Sequence, residues 1–143
     1  MKKVLAFIII ALCVFSLSAQ KNGKGKAEVT VITQEEFIDK VFDFNDSTAR
    51  YKGKTPIVVD FYTDWCGPCR KLGPIMDDVA KKYDGQVIFY KINVDNNKNI
   101  AKAFMVQSIP TVLYIKPKEM PKRSTGLLDK STLIEIIEKV LLQ

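Results

Sequence analysis

Two cysteines three positions apart, Cys66 and Cys69, are the residues best suited to chemistry, and they lie in the run Trp65-Cys66-Gly67-Pro68-Cys69. Two intervening residues place the second sulfur within bonding reach of the first. A mixed disulfide formed on Cys66 can then be resolved by Cys69 within the same molecule. Ahead of the pair, Ile57 to Tyr62 is a nearly continuous apolar run, the signature of a strand covered on both faces. Behind it, Leu72, Ile75, Met76, Val79, Ala80 and Tyr83 recur at helical spacing, with Pro74 expected to bend that helix. Cys66 therefore falls at a helix N-terminus, where the positive end of the dipole favours a thiolate and supplies a nucleophile. Asp60 is the one carboxylate in the apolar strand, and desolvation there would raise its pKa towards that of a useful proton acceptor.

Three other uses of such a pair meet obstacles. Zinc needs four ligands, and the chain has no histidine and three cysteines, one of them, Cys13, in its apolar start. No metal site is expected. Haem attachment needs a histidine directly after the second cysteine, where Arg70 stands. A structural disulfide stays open, although it would close a loop too short to constrain much of the unfolded chain. The absence of histidine also removes the Cys-His and Ser-His-Asp arrangements.

The elements that must position this pair fit one domain. The chain has 143 residues, 47% hydrophobic and 27% charged, within the usual range for a single core. Its formal charge of +6 comes from lysines spread along the sequence, so nucleic-acid binding is not expected. Lys2 and Lys3, the apolar run Val4 to Phe15 and the small-residue exit Ser16-Leu17-Ser18-Ala19 read as a cleaved secretory signal over residues 1–19. The apolar run is shorter than the roughly 20 residues of a membrane-spanning helix. Residues 20–28 read as a flexible leader and residues 29–143 as the folded domain.

Within the domain, a strand at Val29 to Ile32 leads into Thr33-Gln34-Glu35-Glu36, a reciprocal helix cap, and a helix expected to carry Phe37, Ile38, Val41 and Phe42 inward. Asp43 to Thr55 reads as a long loop, with Arg50 and Tyr51 taken as solvated in preference to the alternative that they contact a partner. After the cysteine helix come a strand at Val87 to Val94, a short helix at Ile100 to Phe104, a strand at Thr111 to Ile115 and a pairing strand near Pro121 to Thr125. A last helix buries Leu133, Ile136, Ile137, Val140 and Leu141 behind a cap at Asp129 or Ser131. The order βαβαβαββα implies a three-layer α/β domain.

From about Val29 onward the chain resembles the thioredoxin family, through Val58-Val59-Asp60-Phe61, Trp65-Cys66-Gly67-Pro68-Cys69, Pro74, Lys91-Ile92-Asn93-Val94-Asp95, Ile109-Pro110-Thr111 and Gly126. The resemblance implies a central mixed β-sheet with helices on both faces, an exposed attacking Cys66 and a resolving Cys69. It implies that Asp60 is a buried carboxylate behind Cys69 that takes its proton through a water, and that Lys91 moderates the pKa of Asp60. A strand-end aspartate and a surface lysine are the plainer alternatives. It further implies a cis Ile109-Pro110 bond facing the cysteines, and a substrate surface made by Trp65, Gly67, Pro68, Ile109 and Pro110. An ordinary strand-entry proline and a packing tryptophan stay open. The connection from Asp43 to Thr55 looks roughly eight to ten residues longer than is usual in the family, which marks it as functional or mobile.

The expected activity is thiol-disulfide exchange with protein disulfides, without a cofactor, by a monomer in the periplasm of a Gram-negative bacterium. Gly67-Pro68 resembles the dipeptide of reducing members, so the expected direction is reduction, fed by a membrane thiol donor. A dedicated cytochrome-maturation or single-client reductase is one alternative. A binding subunit that uses the fold without chemistry is another.

Overall fold

The computed structural model describes residues 27–143. The expected signal and most of the leader lie outside the described residues. The elements run β1 (Thr30–Val31), α1 (Gln34–Lys40), β2 (Ile57–Tyr62), α2 (Gly67–Lys82), β3 (Ile88–Asn93), α3 (Lys98–Ala103), β4 (Thr111–Ile115), β5 (Lys122–Thr125) and α4 (Lys130–Leu141). This is the expected order.

The strands form one mixed sheet in the order β1-β3-β2-β4-β5. β3 lies parallel to both β1 and β2, whereas β4 is antiparallel to β2 and to β5. Alternation along β2 divides its side chains between two cores. Val58 faces Leu72, Met76 and Val79 of α2 and Leu133, Ile137 and Leu141 of α4. Ile57, Val59 and Phe61 face Phe37 of α1 and Ile100 of α3. Helices thus cover both faces of the sheet, as a continuous apolar strand requires.

The local signals behave as their chemistry demands. Thr33 and Glu36 form the reciprocal cap of α1, and the Asp129 carboxylate accepts the Thr132 N–H at 2.8 Å to begin α4. Gly85, at φ +73°, lies in the left-handed turn that follows α2. α2 runs unbroken through Pro74, which has no N–H to donate to the Arg70 carbonyl.

Two expectations need correction. Ile38 is 36% exposed rather than inward, because α1 has only two turns and Phe37 alone of its residues is fully buried. The long connection is not simply solvated: Tyr51 is buried in the core on the α1 and α3 side. Its hydroxyl donates to the Thr55 carbonyl at 2.9 Å, and its own carbonyl accepts from Lys118 N–H, in the turn between β4 and β5, at 3.0 Å. A buried aromatic so held contributes about 2–3 kcal/mol. The connection is therefore anchored at its middle.

Candidate active site

β2 and α2 build the centre of the site between them. β2 ends at Tyr62, the chain turns through Thr63, Asp64 and Trp65, and Cys66 is the N-cap of α2. Cys66 accepts the Cys69 N–H on its own sulfur at 3.2 Å, the place a capping oxygen would take. The two cysteines are joined as a disulfide, with Cα atoms 5.2 Å apart. Gly67 and Pro68 form the start of the first turn, and a proline there loses nothing because that N–H has no helical acceptor. In this oxidised form Cys66 and Cys69 are each 5% exposed, so the expected contrast in exposure is not seen. The sulfur of Cys66 is tied to Cys69 on one side and lies 3.8 Å from the Ile109 carbonyl on the other.

The Ile109-Pro110 bond is cis. Pro110 accepts the Gly126 N–H at 2.8 Å, and the Thr111 hydroxyl donates to the Ser108 carbonyl at 2.7 Å, so this loop is fixed from both sides. Gly126, at φ +92°, supplies the backbone conformation that this pairing uses.

Asp60 lies on the face of β2 that α2 covers and is 4% exposed, with its Oδ1 lacking a hydrogen-bond partner among the described residues. Burial pushes its pKa up to about 7, and the nearby charge of Lys91 works against that rise. The register sets Asp60 between Lys91 of β3 and Val112 of β4. No ion pair joins Asp60 and Lys91 among the described residues; instead the lysine ammonium stands 5.2 Å from the centre of the Tyr62 ring. Lys91 is thus beside Asp60 but does not neutralise it by contact.

Trp65 is 70% exposed beside the cysteines, so it packs into neither core. Its indole N–H donates to Asp95 at 2.9 Å. Asn93 supports this arrangement, accepting the Asp95 N–H at 2.9 Å and donating to Asp64 at 3.1 Å. Sequence reasoning did not assign roles to Asp64, Asn93 or Asp95. Their signal was the alternation Asn93-Val94-Asp95 at the end of a strand adjacent to the cysteine strand, which sets both polar side chains near the motif. Among the described residues no cluster of three or more Cys, His, Asp or Glu converges as metal ligands.

The site thus joins a disulfide at a helix N-cap, a cis-proline loop beside it and a buried carboxylate in the preceding strand. A family model described as Thioredoxin matches residues 28–139. The chain belongs to the thioredoxin family. The thioredoxin of Borreliella burgdorferi is 42% identical over 108 residues, covering 75% of this chain and 92% of that protein. A chloroplastic M-type thioredoxin of Spinacia oleracea is 36% identical over 129 residues, covering 88% and 71%. Among solved structures, chloroplastic thioredoxin z has a TM-score of 0.66 at 30% identity, covering 78% of this chain and 93% of that one. A mutant thioredoxin from Halobacterium salinarum has a TM-score of 0.64 at 28% identity, covering 80% and 91%. This thioredoxin is accordingly a thiol-disulfide oxidoreductase acting on protein disulfides through Cys66 and Cys69.

Proposed function

We propose that this thioredoxin is an exported protein-disulfide reductase of the periplasm, with Cys66 as the attacking thiol. The observation that carries the assignment is the Cys69 N–H aimed at the Cys66 sulfur at 3.2 Å. With the dipole of α2 it stabilises a thiolate at Cys66 in the reduced protein. That thiolate attacks one sulfur of a client disulfide, and the other client sulfur leaves as a thiolate. Asp60 takes the Cys69 proton by way of a solvent molecule, and Cys69 attacks the Cys66 sulfur. The client's second thiolate leaves and the Cys66-Cys69 disulfide closes. Two electrons have passed to the client, and the two client thiolates take up protons from solvent.

The remaining residues of the site take supporting roles in this reading. Lys91 keeps Asp60 from rising too far in pKa to release its proton again. Trp65, Gly67, Pro68, Ile109 and Pro110 form the surface against which an extended client segment lies, with the Ile109 backbone as its pairing partner. A membrane thiol carrier returns two electrons to the disulfide, because an oxidising compartment supplies none. The export reading is supported by Lys2, Lys3, the apolar run and the small-residue exit. The reducing direction is supported by Gly67-Pro68 between the cysteines. The reduction potential of the purified mature protein tests it: a value near about −270 mV is expected, and one near about −120 mV would make the protein an oxidant.

A further inference from the structure

On the face of the sheet covered by α1 and α3, a groove of about 490 Å³ separates the long connection from the β4–β5 hairpin and the end of α3. None of the residues lining it belongs to the redox site. Its apolar lining includes Phe44, Phe104 and Leu113, with the two rings 6.4 Å apart. Met105 and Met120 border it and are 66% and 62% exposed. Thioether side chains adapt to the shape of what they touch and recur on surfaces that bind apolar segments. Met105 has φ +48°, a region unfavourable to a residue with a side chain. Hydrogen bonds from Met105 N–H to Lys102 and from Val106 N–H to Ala101 fix this turn. A strained turn therefore holds a large apolar side chain in water, against the hydrophobic effect.

Two arginines from separate elements also line the groove. Arg50 donates to the Ser47 and Ala49 carbonyls at 3.0 and 2.7 Å, and Arg123 to the Phe104 and Met105 carbonyls at 2.9 and 3.4 Å. Carbonyls orient a guanidinium without cancelling its charge. Neither arginine forms an ion pair among the described residues. The carboxylate in the lining, Asp46, has one oxygen occupied by the Thr48 N–H and hydroxyl, and it feels the charge of Arg50 at a distance without an ion-pair contact. Each guanidinium has five N–H donors, so both retain donors for a carboxylate from outside.

We propose that this groove is a second docking surface, distinct from the redox site, for a segment of a partner protein that sets an aromatic or long aliphatic anchor beside a carboxylate. The apolar lining takes the anchor and the arginines take the charge. A second copy of this chain fits less well, since a two-fold interface would bring the same arginines together. A membrane surface fits less well too, because a concave apolar floor lies out of reach of a bilayer. Docking here would hold a client at the protein and so raise the effective concentration of its disulfide near Cys66.

The test titrates a short synthetic peptide, a Leu-Phe anchor between glutamates, into the isotopically labelled protein and follows amide and methionine-methyl shifts. Shifts are expected at Phe104, Met105, Met120 and Arg123, with Trp65 and Cys66 unmoved. Arg50→Glu is expected to weaken binding about tenfold, as is replacing the peptide's glutamates by lysines. Met120→Ser, in the exposed hairpin turn, removes apolar contact without disturbing the long connection and is also expected to weaken binding. No shift with the peptide, equal binding of the lysine version, or shifts confined to Trp65 and Ile109 would overturn the proposal. Self-association or binding to anionic vesicles through these same residues would overturn it as well.

Discussion

Replacing Asp60 by asparagine removes a buried carboxylate whose pKa burial raises from 3.8 to about 7. An acid that ionises more readily when unfolded destabilises the fold as pH rises. Below the unfolded value near 4 both states hold the proton and the group costs nothing. Between about pH 4 and 7 the native state binds more protons, and the wild type loses stability at up to about 1.4 kcal/mol per pH unit. The total is about 4 kcal/mol, present in full above pH 7. Asparagine has nearly the same shape and carries no charge, so whatever its amide costs in this unpartnered position is the same at every pH. The stability advantage of Asp60→Asn should therefore grow by roughly 4 kcal/mol from acid to alkaline pH and level off above about 7. Lys91, Tyr62 and Tyr114 face the same side of the sheet; burial pushes the Tyr114 hydroxyl up to about 12, and Tyr62 is also raised, so neither tyrosine ionises in this window. Denaturant unfolding of the oxidised proteins across pH measures the difference. Parallel stability curves for wild type and variant would refute the reasoning, because they would mean that Asp60 is solvated and ordinary in pKa. The same variant should slow resolution of the mixed disulfide by about a hundredfold or less, with little effect on the first attack, in stopped-flow reduction of a disulfide substrate.

Cys69→Ser should accumulate mixed disulfides with clients on non-reducing gels, whereas Cys66→Ser should not; trapping by the Cys66 variant would reverse the two roles. Gly53→Ala should lower stability by about 2 kcal/mol in thermal or denaturant unfolding, because a Cβ at Gly53 overlaps the Tyr51 ring and drives it from its buried site. An unchanged midpoint would show that the connection relaxes without losing that anchor. Intact mass of the protein recovered from its native cell should correspond to a chain beginning after residue 19; a full-length chain in the membrane fraction would replace the periplasmic reading with an anchored one.

The sequence was most legible where local chemistry decides local structure. Capping residues Thr33 and Asp129, the helical stripe from Leu72 to Tyr83 and the apolar run Ile57 to Tyr62 each specify an element from neighbours a few positions away, and each is found where expected. The cysteine motif was legible for the same reason, since a three-residue spacing and a helix start are both local properties. Ile38 was misread because period alone does not say how wide a face a two-turn helix buries. Tyr51 was misread because the signal around it is polar, and its burial depends on a turn some sixty-five residues later, at Lys118.

What the sequence by itself determined is the order of elements, the identity of the redox pair and the presence of a carboxylate in the strand behind it. Tertiary structure decided the rest: the sheet order β1-β3-β2-β4-β5, the pairing of Asp60 with Lys91 across β2 and β3, the Ile109 carbonyl beside the Cys66 sulfur, and the tie from Trp65 to Asp95. Each of these joins residues some thirty or more positions apart, or follows from strands that meet only when both cores are buried. Periodicity records which way a side chain faces, but not what it will face. The cysteine pair is therefore written locally, whereas the surroundings that bury Asp60 behind it exist only once the sheet has closed.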